Sequence, residues 1–129
     1  MILDASALIA ILWDEPEAAD FVQAISGADC CRISAVNFVE AAIVAERNPN
    51  PAGLRNFDTF LRSAGIVVAA VTEDQAHVAR QAFVDFGKGR HAARLNLGDC
   101  FAYALSKVTG EPLLFKGEDF RKTDVKAAR

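Results

Sequence analysis

The chain has 129 residues, 52% of them hydrophobic and 24% charged, proportions that suit one globular core and exclude a disordered or fibrous segment. With 14 lysines and arginines against 17 aspartates and glutamates, the formal charge is -3, so no blanket of positive charge is available and any contact with a polyanion must be local. A chain of this length buries roughly 68% of its unfolded surface, so it needs neither disulfides nor a structural metal to fold.

In chain order, Met1 to Leu3 read as a short buried strand, and Ala5 to Trp13 as a helix that is apolar nearly all round, with Asp4 at the junction. Asp14 with Pro16 predicts the start of a second, amphipathic helix through Ala18, Phe21, Val22 and Ile25, broken at Gly27. Cys30 to Ile33 suit another strand. Ser34 caps a third helix running to about Glu46, and Asn50 with Pro51 predicts the start of a fourth, whose inner face carries Leu54, Phe57, Phe60 and Leu61 before Gly65. Ile66 to Val71 is β-branched and continuous, as in a strand covered on both faces, and Thr72 with Gln75 forms a capping box for a helix to about Phe86. Gly87 to Asn96 reads as a long loop. Asp99 to Val108 is the last long helix, stopped by Thr109 and Gly110, and Leu113 to Phe115 give a final core strand.

Short apolar strands alternating with helices imply a parallel sheet between helical layers, a three-layer α/β domain spanning 1–129. In such sheets the cleft lies beyond the carboxyl ends of the strands, where strand order reverses, which directs attention to residues that follow strands. The longest apolar run, Ala7 to Trp13, is well short of the roughly 18 residues of a spanning helix, and no basic-then-apolar leader precedes it, so a cytoplasmic protein without a membrane segment is expected. Cys30 and Cys31 are adjacent and Cys100 stands alone, which is neither a disulfide framework nor a metal-ligand spacing; reduced core cysteines are expected.

Asp4 follows the first strand and Asp99 opens an apolar helix. Each has a simple structural explanation as a helix cap, worth about 1 kcal/mol. Glu40 differs, because it lies in the second turn of its helix, past the free backbone amides. From Ala35 to Ala45 the only polar residues are Asn37 and Glu40, so the helix reads as enveloped by protein, where an ionised carboxylate costs several kcal/mol unless paired. No basic residue is near in sequence; Arg32 or Arg47 at longer range is the structural alternative. Asn37 and Glu40 share one side of the helix at i, i+3, and Ser6 lies two residues past Asp4. If the strand ends meet beside this helix, Asp4, Glu40 and Asp99 line an oxygen-rich pocket suited to magnesium or manganese, whose bound water can attack a phosphodiester. Three carboxylates brought together raise one another's pKa, so the ion-free site is expected to be partly protonated.

A second acidic group, Glu118, Asp119 and Asp124, follows the last strand, with a solvated terminal turn as its alternative. Asp14, Glu15, Glu17, Glu73 and Asp74 read as first-turn helix charges. Lys88, Arg90, His91 and Arg94 are candidate phosphate anchors in the loop before Asp99, although a loop charge cluster is often only solvated. Trp13, Phe21 and Phe38 are candidates for a partner-binding face.

The opening MILDASALIAIL, the segment ISAVNFVEAA, the stretch FGKGRHAARLNLGDCFAYALS and the ending LLFKGEDFRKTD together resemble the PIN-domain ribonucleases of VapC type over essentially the whole chain. The resemblance implies an α/β/α PIN-like fold with a short parallel sheet, and a Mg2+-dependent endoribonuclease in which Mn2+ substitutes. It further implies the toxin half of a toxin–antitoxin pair, homodimeric and silenced by a cognate VapB-type antitoxin that inserts a basic side chain into the acidic pocket. It matches Asp4, Glu40 and Asp99 to the family's acidic triad, the first and last as direct metal ligands. Asp119 matches the fourth acid, with Glu118 and Asp124 as neighbours that a one-residue shift brings into its place. Ser6, Asn37, Asn96 and Thr123 resemble supporting polar positions. Hydrolysis leaving a 5′-phosphate and a 3′-hydroxyl is the expected reaction. The enzymatic rival is a phosphatase or phosphotransferase using Asp4 as nucleophile, against which Ser6 stands where a second aspartate belongs. The non-enzymatic rival is a receiver-like binding module.

Overall fold

Four strands, Ile2–Leu3 (β1), Arg32–Ser34 (β2), Val67–Ala69 (β3) and Leu113–Leu114 (β4), pair in parallel in the order β3-β2-β1-β4, in a computed structural model that describes residues 1–50 and 52–129. Ile2 lies opposite both Arg32 and Leu113, and Arg32 opposite Val67. Parallel neighbours require crossovers. These are supplied by Ala5–Leu12 (α1), Ala18–Ser26 (α2), Ala35–Glu46 (α3), Gly53–Ser63 (α4), Glu73–Phe86 (α5) and Leu97–Thr109 (α6).

Alternation along the strands makes the three layers, since successive side chains point to opposite faces. Leu3, Ile33 and Leu114 join a cluster with Leu8, Phe21, Ala41 and Phe57 from α1 to α4. Ile2 and Leu113 join the other cluster, with Ala79, Ala82, Tyr103 and Leu105 from α5 and α6. The chain steps outward from β1 through β2 to β3 and then returns to place β4 on the other side of β1. Strand order therefore reverses between β1 and β4, and the cleft of such a sheet opens there.

Several expected boundaries shift for identifiable reasons. Asp14 does not cap α2. It has φ +50, with its N–H bonded to Ile11 O and the Glu15 N–H to Ala10 O. This is a Schellman ending of α1 with aspartate in the left-handed position usually held by glycine. Pro16 accordingly sits in the turn, and α2 begins after Glu17, which makes no side-chain cap. Glu15 and Glu17 instead pair with Lys116. The second strand starts two residues late, leaving Cys30 exposed while Cys31 and Cys100 are buried. α3 is not enveloped: Asn37, Ala41 and Ala45 face inward, but Val39 and Ile43 are exposed. In α4, Asn50 accepts from the Ala52 N–H and shapes the turn ahead of the helix; Pro51, expected to open it, lies outside the described residues. Phe57 and Leu61 are buried, whereas Leu54 is 40% exposed.

The third strand departs most from expectation. β3 is an edge strand, with Val67 51% and Val68 43% exposed, so its continuous β-branched run reflects backbone preference and not double coverage. Thr72 caps α5 through the Gln75 N–H at 3.2 Å, but the reciprocal bond is missing, and Gln75 Oε1 is buried without a partner. Of the aromatic candidates for an open face only Trp13 is exposed; Phe21 is core, and Phe38 is partly buried against Phe57 at 5.7 Å between ring centroids. No helix among the described residues is long and apolar enough to cross a membrane.

The two α4 positions separate the observed packing from simple amphipathic reading. Phe57→Ala is expected to lower unfolding free energy by about 3–4 kcal/mol, and Leu54→Ala by about 1 kcal/mol or less, in urea denaturation. Equal losses would mean that α4 presents a different face to the core.

Candidate functional site

Asp4, the residue after β1, caps α1. Its Oδ2 accepts from the Ser6 N–H at 3.0 Å and from the Ser6 hydroxyl at 2.5 Å. The Ser6 Oγ in turn accepts from the Lys116 N–H at 3.0 Å, two residues past β4. One hydroxyl thus ties together the strand ends on either side of the reversal point. Asp4 is only 4% exposed, and its Oδ1 is buried with no hydrogen-bond partner. Burial pushes its carboxyl above the ordinary value, against the two bonds from Ser6.

Ser34 ends β2 and caps α3 through the Val36 N–H, which brings Asn37 and Glu40 onto the side facing α6. Asn37 is fully buried, and its Nδ2 donates to Glu40 Oε1 at 3.3 Å and to Gly98 O at 2.9 Å. The long-range salt bridge that was the structural alternative for Glu40 does not form among the described residues: Arg32 pairs with Glu111 at 2.5 Å. Burial pushes the Glu40 carboxyl up, the charge of Asp4 pushes the same way, and the Asn37 amide opposes.

Asp99 is the third residue of α6 and not its cap. Asn96 holds that place, in a reciprocal capping box: Asn96 Oδ1 accepts from the Asp99 N–H at 2.9 Å, and Asp99 Oδ2 from the Asn96 N–H at 3.0 Å. Burial pushes the Asp99 carboxyl up to about 6; the Asn96 bond opposes, and the charges of Asp4, Glu40 and Asp119 add to the rise. The fold therefore gathers Asp4, Glu40, Asp99 and Asp119 into one electrostatic neighbourhood. In the observed rotamers, however, no three Asp, Glu, His or Cys side chains among the described residues stand close enough to share an ion. Each of the triad's carboxylates is turned toward a local amide or hydroxyl, which lowers the repulsion that convergence would bring.

The acids after β4 separate. Asp119 precedes the short 3-10 turn Phe120–Lys122 and acts on Asp99. Glu118 faces Arg121 at 3.7 Å. Asp124 accepts from the Tyr103 hydroxyl at 2.7 Å and from Lys107 Nζ at 3.0 Å, so it fastens the tail to α6 instead of joining the acids. Thr123 is likewise absorbed by its own turn, donating to Phe120 O and accepting from the Val125 N–H. Lys88, Arg90, His91 and Arg94 are all exposed on the loop that leads into Asn96. Within it His91 Nδ1 accepts from the Ala93 N–H, and Arg90 lies over the Phe83 ring at 5.6 Å. The backbone link from Lys116 to Ser6 was not legible in the sequence, because no residue type marks it.

An unpartnered, buried Asp4 Oδ1 and an all-oxygen donor set fit a hard divalent cation. Comparison with known proteins bears on what such a site does. Residues 1–126 match the PIN domain family. A Ribonuclease VapC of Mycolicibacterium smegmatis is 50% identical over 127 residues, covering 98% of each chain. Among solved structures, the sarcin-ricin loop cleaving toxin VapC20 of Mycobacterium tuberculosis superposes with a TM-score of 0.77 at 16% identity, covering 96% of this chain and 95% of that one. A toxin-antitoxin complex from Klebsiella pneumoniae gives 0.74 at 17% identity, covering 95% and 92%. The expected α/β/α fold is borne out by these likenesses.

A carboxyl held near 6 in the fold against an ordinary 3.8 favours the protonated protein. Its contribution to stability is fully present below the unfolded value and is lost as pH rises through about 6. In chelator at about pH 8, Asp99→Asn is therefore expected to be more stable than the wild type by about 1 kcal/mol after solvent screening, an advantage that shrinks by about pH 5. Urea titrations at the two pH values check this; a difference that does not change with pH would mean Asp99 is not desolvated.

Proposed function

We propose, since this chain belongs to the VapC ribonucleases of the PIN domain family, that it is a divalent-metal-dependent endoribonuclease acting as the toxin half of a toxin–antitoxin pair. The observation that carries this reading is the gathering of desolvated carboxylates at the strand reversal, with Asp4 Oδ1 buried and unpartnered. Asp4, Glu40 and Asp99 hold the ion, and Asp119 is the fourth acid. Magnesium is the natural occupant of a small all-oxygen site, and manganese substitutes. Bound there, a divalent cation supplies Lewis acidity that acidifies water and offsets charge developing on a phosphodiester.

The chain's own residues prepare the site. Ser6 keeps Asp4 Oδ2 and leaves Oδ1 for the ligand. Asn96 fixes Asp99 through the capping box. Asp119, being exposed, reaches the site from the solvent side. Lys88, Arg90, His91 and Arg94 supply phosphate contacts next to the acids, as a chain of net charge -3 requires of any RNA-binding surface. Ser6, standing where that chemistry needs a second aspartate, disfavours the rival in which Asp4 attacks a phosphoryl donor as nucleophile.

Partner binding completes this reading. A groove of about 400 Å³ between α5 and α6, lined by Ala76, Phe83, Leu97 and Phe101, is almost wholly apolar and suits a second copy of the chain. A cognate antitoxin covers the exposed Trp13 region and places a basic side chain among the acids, in competition with the ion. The pair acts in the cytoplasm, where its RNA is.

Cleavage of single-stranded RNA is expected with Mg2+ and is expected to stop in chelator. Asp99→Asn is expected to lose about 100-fold or more in rate, as removal of a ligand to a charge-stabilising ion implies. Asp124→Ala, placed away from the acids, is expected to keep its rate while losing about 1 kcal/mol of stability with the Tyr103 bond. Undiminished cleavage by Asp99→Asn, or indifference to chelator, would refute the assignment.

A further inference from the structure

Gly98 stands in the first turn of α6 between Asn96, the cap, and Asp99, and it is buried. Its backbone is not among the left-handed glycines, so conformation does not demand glycine there, and a helix ordinarily favours alanine over it. Space is the remaining reason. A Cβ at position 98 would lie 2.2 Å from Glu40 Oε2, 2.7 Å from its Cδ and 2.8 Å from its Oε1, and these are its three nearest atoms. The Glu40 carboxyl therefore lies directly against the α-carbon of Gly98, one residue from Asp99 and over the electropositive end of α6.

Asn37 holds the same group from the other side. Its amide nitrogen donates to both Glu40 Oε1 and Gly98 O, joining α3 to α6 across 61 residues of sequence. The orientation of the amide is set by its neighbours, since both are acceptors and only the nitrogen can serve them.

We propose that Gly98 and Asn37 are positioning residues that seat the Glu40 carboxylate against the first turn of α6, and that the seat exists because position 98 carries no side chain. The consequence for metal binding rests on the nuclease reading above; the seat itself is a matter of packing. What a methyl group at 98 displaces is the far end of a flexible side chain, so the fold tolerates it and the site does not.

The test uses metal-stripped, full-length protein, with Mn2+ titrated by calorimetry and Tm measured in chelator. Gly98→Ala is expected to keep or raise Tm, by roughly 2–5 °C at most, while binding Mn2+ about 10-fold or more weakly. In a Glu40→Gln background the same substitution is expected to change Mn2+ affinity by less than about 2-fold, because its effect passes through Glu40. Losses that add in the double variant, or wild-type affinity in Gly98→Ala, overturn the proposal. Should Gly98→Ala fail to fold, Asn37→Ala paired with Glu40→Gln asks the same question of the other half of the seat, and additive losses there overturn it too. Side-chain amide resonances of Asn37 in the metal-free protein give an independent reading. They are expected to shift in both Gly98→Ala and Glu40→Gln, and an unmoved amide overturns the seat. A wild type that binds no Mn2+ sinks the metal reading, and the amide still decides the seat.

Discussion

Stripping water from a carboxylate costs several kcal/mol unless donors or a cation replace the lost shell, and the region around Asp4 is organised by that cost. The residue is almost completely covered because it follows a strand buried on both faces, with Ile2 in one apolar cluster and Leu3 in the other. One oxygen recovers two donors from Ser6. The other recovers none. Glu40 and Asp99 approach the same neighbourhood from helices anchored on opposite faces of the sheet, where the charge of Asp4 pushes both carboxyls up and that of Glu40 adds to the rise in Asp99. A cluster of this kind is costly to the bare fold, and positive charge placed among its members offsets that cost for all of them together.

Topology makes the convergence unavoidable. Reversal of strand order between β1 and β4 leaves a gap at their carboxyl ends, and the Ser6 hydroxyl closes its floor by joining Asp4 to the Lys116 backbone. The outer edge of β4 is protected in turn, because the tail runs beside it with Leu113 N–H bonded to Lys126 O and Ala128 N–H to Leu113 O. Asp124 fastens that tail to Tyr103 and Lys107. An acid that looked equivalent to Asp119 in sequence therefore serves the edge of the sheet, five residues away from the one that acts on Asp99.

The parts of this organisation that were legible in the sequence are those set by local rules. Alternating apolar strands and helices specified the layered α/β architecture, Ser34 and Thr72 were read correctly as caps, and Glu40 stood out because no local basic residue could pair with it. What escaped depended on tertiary context. The Ile66 to Val71 run looked doubly covered, yet coverage is decided by strand order, which put β3 at the edge. Asp14 has the residue type of an N-cap, and only the hydrogen bonds at the end of α1 reveal that it closes one helix instead of opening the next. α3 is not enveloped, since Val39 and Ile43 are exposed; Glu40 is nevertheless desolvated, because its own side of the helix faces α6. Gly98 carried a faint signal, a glycine inside a helix start where alanine would serve better, but its meaning required knowing that Glu40 lies over it.

Capping a helix start leaves Asp4 and Asp99 free to serve a second partner as well. A carboxylate has two oxygens. In both residues Oδ2 is committed to the backbone at a helix start, which fixes the plane of the group and restricts its rotamer. The second oxygen is then held in place, and in Asp4 it is buried without a partner. A freely rotating carboxylate would have to be immobilised when a ligand arrives, whereas one already pinned by a cap has lost that entropy during folding. Helix starts are thus suited to hold carboxylates in a fixed orientation for two reasons at once: the dipole and free amides tolerate the charge, and the cap turns one oxygen into an anchor for the other.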